Sequence, residues 1–173
     1  MNPTTSRTAM TTTTDTSSDA DVIDRAAGLS PGDPLHLARR FRAKVVEATQ
    51  ASHDALLREP VPGLSSEDRL RVAAHVCTVA GAASLARHYE TLVAETPGGG
   101  APPSPALPAM LRFAATLTTD PRLGDRAALA PLKDAGLGDA AIVALAQLIA
   151  FLSYQLRVVA GLKAMREPHG EAS

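Results

Sequence analysis

Residues 69–92 read RLRVAAHVCTVAGAASLARHYETL, and this stretch decides the fold. From Ser66 to about Glu95 the composition is that of a helix: alanine, leucine and long straight side chains, with no proline and a single glycine. Apolar residues stand at most angles around it, among them Leu70, Val72, Ala73, Val76, Val79, Ala83 and Leu85. A helix that is apolar on most sides belongs inside a bundle. Gly81 is the one breaker, placed either to split the segment into two helices or to let another backbone approach.

Upstream, Pro60-Val61-Pro62-Gly63 interrupts the chain, and Ser65 can cap the helix that follows, with Asp68 in a loose capping box. Before the break, Asp33 and Pro34 form a helix start, and the helix should run to about Arg58. Leu37, Phe41 and Val45 fall at four-residue steps as its apolar face. Arg39, Arg40, Arg42 and Lys44 cluster on the same helix, either as a phosphate or partner contact or as a solvated face. Residues 1–20, rich in Thr and Ser and without an apolar block, read as a disordered tail rather than a secretory signal.

Downstream, residues 97–108 form a Pro/Gly-rich linker at the surface. Met110, Phe113, Ala114 and Leu117 mark a third helix over about 109–117, which Asp120-Pro121 ends. A short helix carrying Pro131 stops at Gly136, and Asp139 can cap a long apolar helix to about Met165. Residues 167–173 should fray. The long helix is near the length of a membrane span, but Gln147, Ser153 and Gln155 interrupt it, so it reads as a core helix. No strand pattern is present. The fold class is therefore all-α, a bundle of five or so helices forming one domain over residues 21–167.

Composition narrows the chemistry. The 173 residues are 45% hydrophobic and 20% charged, with a net charge of −1 and no basic excess for nucleic acid or an anionic membrane. There is one cysteine, which excludes an intramolecular disulfide, a four-cysteine zinc site and a two-thiol redox cycle. The five histidines are scattered and no phosphate-binding loop is present, so no cofactor and no metal are expected. The cytoplasm is the default location.

On a continuous helix Cys77, Gly81, Ser84 and His88 would share one stripe, their spacings being four, three and four. A thiol, a hydroxyl and an imidazole on one face can support nucleophile-and-base chemistry. The plainer reading makes Cys77 and Ser84 packing residues and His88 a hydrogen-bonded, half-buried ring.

The order of three segments carries a resemblance: RLRVAAHVCTVAGAASLARHYETL, then MLRFAATLTTDPRL, then LKDAGLGDAAIVALAQLIAFLSYQLRVVAGL. Together with VIDRAAGLSPGDPL near the start, this chain resembles the carboxymuconolactone decarboxylase family and, within it, the AhpD-like alkylhydroperoxidases and peroxidase-related proteins. The resemblance implies an AhpD-like helical bundle. In the family the first segment holds a Glu, a Cys-x-x-Cys and a His. Aligning the family His with His88 puts the cysteine positions at Gly81 and Ser84 and the Glu position at Arg69; Glu67 lies two residues away, on another face. Arg157 is kept in the last segment, while Ser153 and Leu156 stand where the pattern often has Asn.

The resemblance therefore implies a family member without two-cysteine peroxidase chemistry. Peroxide reduction of that type needs a thiolate and a second thiol to resolve the sulfenic acid. Three functions follow: a degenerate, oligomer-forming member; a non-redox acid–base enzyme on a small carboxylate; or redox chemistry by Cys77 with an external thiol. In the enzyme His88 would be the acid or base, Ser84 a hydrogen-bond donor, and Arg69, Arg71 or Arg157 the carboxylate clamp. The partners it implies are copies of the same chain, as a trimer or hexamer, or an active paralogue.

Overall fold

The computed structural model describes residues 21–96 and 102–166. The described chain runs α1 (Val22–Ala27), α2 (Pro34–Arg40), α3 (Ala43–Arg58), α4 (Ser66–Val79), α5 (Ala83–Glu95), α6 (Leu107–Thr119), a 3₁₀ turn at Pro121–Leu123, α7 (Arg126–Asp134) and α8 (Asp139–Arg166). The described residues include no strand, only an isolated bridge between Val61 and Leu64. The fold is all-α, as the composition implied. The expected tail at 1–20, the first part of the linker (97–101) and the terminal residues 167–173 lie outside the described residues.

α4 is the centre of the bundle, packed against α5, α6 and α8. Ser65 opens it as expected, its hydroxyl accepting from the Asp68 N–H at 3.0 Å. Gly81 splits the apolar segment, at φ +71°, where an L side chain would be strained. α8 crosses α4 and buries Leu145, Leu148, Leu152, Gln155, Val159 and Leu162 at three- and four-residue steps. Among the described residues it is the one helix long and apolar enough to cross a membrane, yet 39% of its most apolar window is buried in the bundle.

The helix expected over 34–58 is two helices, broken at Phe41 and Arg42. The reason lies in α1. Asp21 caps α1, accepting from the Ile23 and Asp24 N–H groups. Arg39 then donates to Asp21 at 2.9 Å and to Asp24 at 2.7 Å, and Arg40 donates to Asp24 at 2.8 Å. Both carboxylates are buried, so these pairs fix how α2 is rotated. Arg39 and Arg40 thus clamp α2 to α1, Arg40 remaining exposed on its outer side, while Arg42 and Lys44 lie on the solvated face. With that rotation set, Leu37, Phe41 and Val45 point outward, and Phe41 is 88% exposed. The face expected to pack inward is on the surface; the inward face of α3 is Val46, His53 and Leu57.

Smaller differences have local causes. Asp33 accepts from the Ser30 N–H at 2.7 Å and makes no side-chain cap on α2. Helix α6 begins at Leu107, inside the stretch expected to be linker, with Pro108 in its first turn. Pro131 lies within α7. Asp139 is the first residue of α8 rather than its cap, and the Gly138 carbonyl accepts from the Ile142 N–H. The far end of α8 closes the fold: Arg166 donates to the Ala27 and Gly28 carbonyls at 2.8 and 2.7 Å. Gly28, at φ +70°, ends α1 there, and a Cβ on it would meet the Arg166 guanidinium at 2.5 Å.

Candidate functional site

The turn from α4 to α5 holds the residues singled out in the sequence. The Gly81 N–H donates to the Thr78 carbonyl and the Ala82 N–H to the Cys77 carbonyl, which closes the C-terminus of α4. Cys77 therefore belongs to one helix and Ser84 and His88 to the next, so the single stripe expected on a continuous helix does not form. Cys77 is fully buried, and burial pushes its thiol up to about 12. A thiol held protonated at neutral pH is a poor nucleophile.

Ser84 ties three elements together. Its hydroxyl donates to the Ala26 carbonyl of α1 at 3.3 Å and accepts from the Lys163 ammonium of α8 at 2.9 Å. His88 lies one turn further along α5, its ring edge-on to Tyr89 with centroids 5.1 Å apart. Its Nε2 is buried and has no hydrogen-bond partner among the described residues. Burial first, then the positive charge of Arg25 and the nearness of the His53 imidazole, push the His88 imidazole down to about 4. His88 is therefore neutral at pH 7.

A cleft of about 370 Å3 opens beside Gly81, walled by Leu156, Arg157, Val159 and Lys163 among others. Arg157 and Lys163 are its charged residues. Neither His88 nor Ser84 is part of its wall, although Ser84 reaches Lys163. Of the three arginines considered as carboxylate clamps, only Arg157 lines this cleft. Arg69 is buried and donates to the carbonyls of Leu56, Glu59 and Ser65 at 2.7, 2.7 and 3.4 Å. It closes the loop between α3 and α4, and burial lowers its proton affinity. Arg71 is paired with Glu67 at 2.9 Å and Asp68 at 3.2 Å.

A second polar group lies in the core and went unread in the sequence. Tyr89 donates to the Gln155 side-chain oxygen at 2.7 Å, with both residues fully buried. The His53 ring stacks on Tyr89 with centroids 6.2 Å apart and tilts against Phe151 at 6.3 Å. The signal was present: His53 shares the inward register of α3 with Val46 and Leu57, and Gln155 that of α8 with Leu152 and Val159. A polar residue in a core register marks a buried hydrogen-bonding network. Among the described residues no three His, Cys, Asp or Glu side chains gather as metal ligands.

No protein-family profile matches this chain, and no curated protein matches it. Solved structures do. An uncharacterized peroxidase-related protein from Silicibacter sp. TM1040 superposes with a TM-score of 0.56 at 21% identity, over 81% of this chain and 78% of that one. An uncharacterized peroxidase-related protein from Ralstonia eutropha JMP134, described as an alkylhydroperoxidase AhpD core, gives 0.53 at 24% identity, over 80% and 78%. The expectation drawn from the three ordered segments holds at the level of architecture: this chain has the AhpD-like, all-helical fold.

Proposed function

We propose that this chain is an AhpD-fold protein without two-cysteine peroxidase chemistry that acts as a self-assembling member of that fold group. The observation that carries the first part is the state of the thiol positions. Gly81 has a left-handed backbone that disfavours any side chain, Ser84 is held between Ala26 and Lys163, and the lone thiol of Cys77 is buried and protonated. No thiolate is poised to attack a peroxide and no second thiol can resolve a sulfenic acid. A peroxide-consumption assay with a dithiol reductant tests this. Turnover at the reductant-only rate is expected; turnover that Cys77→Ala abolishes would overturn it.

Self-assembly is supported by the mismatch between α8's composition and its surroundings. The helix has a mean hydropathy of 1.7 in its best window, but within one chain Val143, Ala150 and Tyr154 face outward, beside the exposed Gln147 and Arg157. Tyr154 meets Thr49 of α3 at 3.2 Å, which joins this face to the exposed Leu37–Phe41–Val45 stripe. Large exposed apolar side chains interleaved with polar ones in this way fit a second copy of the chain. Gel filtration with light scattering at several concentrations should give a mass above that of the monomer.

A second reading, a non-redox acid–base enzyme on a small carboxylate, is favoured by the pair of cations, Arg157 and Lys163, in the cleft beside Gly81. In that reading the two cations would hold the carboxylate, Ser84 would position Lys163 by accepting from its ammonium, and His88, outside the cleft wall, would act as base only through a rearrangement of α5. Small carboxylates titrated against the protein by NMR should then move the Arg157, Lys163 and His88 resonances together.

A further inference from the structure

The core network borders a surface cleft through His53. Between α3, α4 and α5 a cleft of about 300 Å3 is lined by Leu57, Leu70 and Leu92, with Arg58 and Glu95 at its edge and His53 in its wall. Neither Cys77 nor His88 is part of it. His53 is 4% exposed, and its ring is set between Tyr89 and Phe151. The Nδ1 of His53 lies 3.2 Å from an Asp54 carboxylate oxygen. Gln50 Nε2 lies 3.5 Å from the same Nδ1, so Nδ1 donates to Asp54 in one tautomer and accepts from Gln50 in the other, and the His53 Nε2 is left to accept or to donate accordingly. That Nε2 is buried and has no hydrogen-bond partner among the described residues. Buried ring nitrogens without a partner are rare in folded proteins, and this one belongs to a ring that walls a cleft.

The geometry points to a binding site for a small apolar molecule carrying a hydroxyl, separate from the turn around Gly81. The three leucines supply the apolar wall, and the cleft is of a size to take a molecule of one or two rings. The ligand's hydroxyl, which can donate or accept, would pair with His53 Nε2, while Arg58 and Glu95 would hold any polar tail at the mouth.

Phenol is the minimal probe and toluene its match without a donor. Each is titrated into the full-length protein, with detection of the backbone amides and the imidazole nitrogens by NMR. Saturable phenol binding is expected, with shifts at Leu57, Leu70 and Leu92 and a change in the His53 Nε2 resonance. Toluene and the His53→Phe variant should each bind about ten-fold more weakly or worse, the loss of one buried hydrogen bond. Leu92→Trp, at a half-buried position, should fill the cleft and abolish binding while leaving His53 intact. The proposal is overturned if phenol does not saturate, if it binds without moving the His53 Nε2 signal, or if toluene binds as tightly.

Discussion

Acidification should destabilise this protein through His88, by an amount the structure allows to be worked out. Unfolded, the imidazole binds a proton near 6.5; folded, it does so only near 4, because burial and the neighbouring Arg25 and His53 oppose the charge. Between those values the unfolded chain holds a proton that the folded chain refuses. Stability is therefore unaffected by His88 above about pH 7 and falls as the pH drops from 6.5 toward 4. Each tenfold change in proton affinity is worth about 1.4 kcal/mol, so a fully desolvated ring would lose about 3.4 kcal/mol across the window. His88 is partly open to solvent, which screens the effect, and about 1–2 kcal/mol is expected. The variant His88→Phe keeps a ring against Tyr89 and removes the titration. Urea unfolding followed by circular dichroism at about pH 7.5 and about pH 4.5 gives the stability of each protein. Carboxylates titrate in both, so the difference between the two pH dependences isolates His88. The wild-type protein should lose about 1–2 kcal/mol more than the variant on acidification. Parallel dependences, or a steeper one for the variant, would refute the reasoning.

Three further outcomes follow from the packing. Replacing Arg69 with Met leaves the Leu56 and Glu59 carbonyls at the α3–α4 loop without this donor, while Ser65 keeps the Arg69 N–H, and should cost about 1–3 kcal/mol in urea unfolding, without altering helix content. Tyr89→Phe leaves the buried Gln155 amide oxygen without its donor, a loss of about 1–3 kcal/mol readable as a lower melting temperature. Phe41→Glu places a charge in the exposed stripe beside α8 and should shift the light-scattering mass toward the monomer with an unchanged circular dichroism spectrum.

Much of this fold was legible because its signals are local. Ser65 caps α4, Gly81 ends it, and the spacing of Met110, Phe113 and Leu117 belongs to α6, each readable within a few residues. What escaped depends on contacts distant in sequence. The stripe of Leu37, Phe41 and Val45 has good helical spacing, but its direction is set by Arg39 and Arg40 reaching Asp21 and Asp24 on another helix. Once the outward stripe is taken as the inward one, His53 falls on the solvent side of the pattern and its place in the core is lost. Arg69 stood at a position the family resemblance gives to an acid, so a role at a site was a natural reading; its use is to hold the carbonyls that end α3. The cysteine count was the most durable signal, because a two-thiol cycle needs two thiols whatever the fold.

The central claim is that the one thiol of this AhpD-like fold is shut, and trapping of sulfenic acid tests it most directly. The protein, native or unfolded in urea, is exposed to hydrogen peroxide with dimedone present, and the mass of the Cys77 peptide is followed over time. The unfolded chain should acquire the adduct, while native Cys77, buried and with its thiol pushed up to about 12, should remain unmodified over the same period. Native labelling as fast as in the unfolded chain would contradict the account.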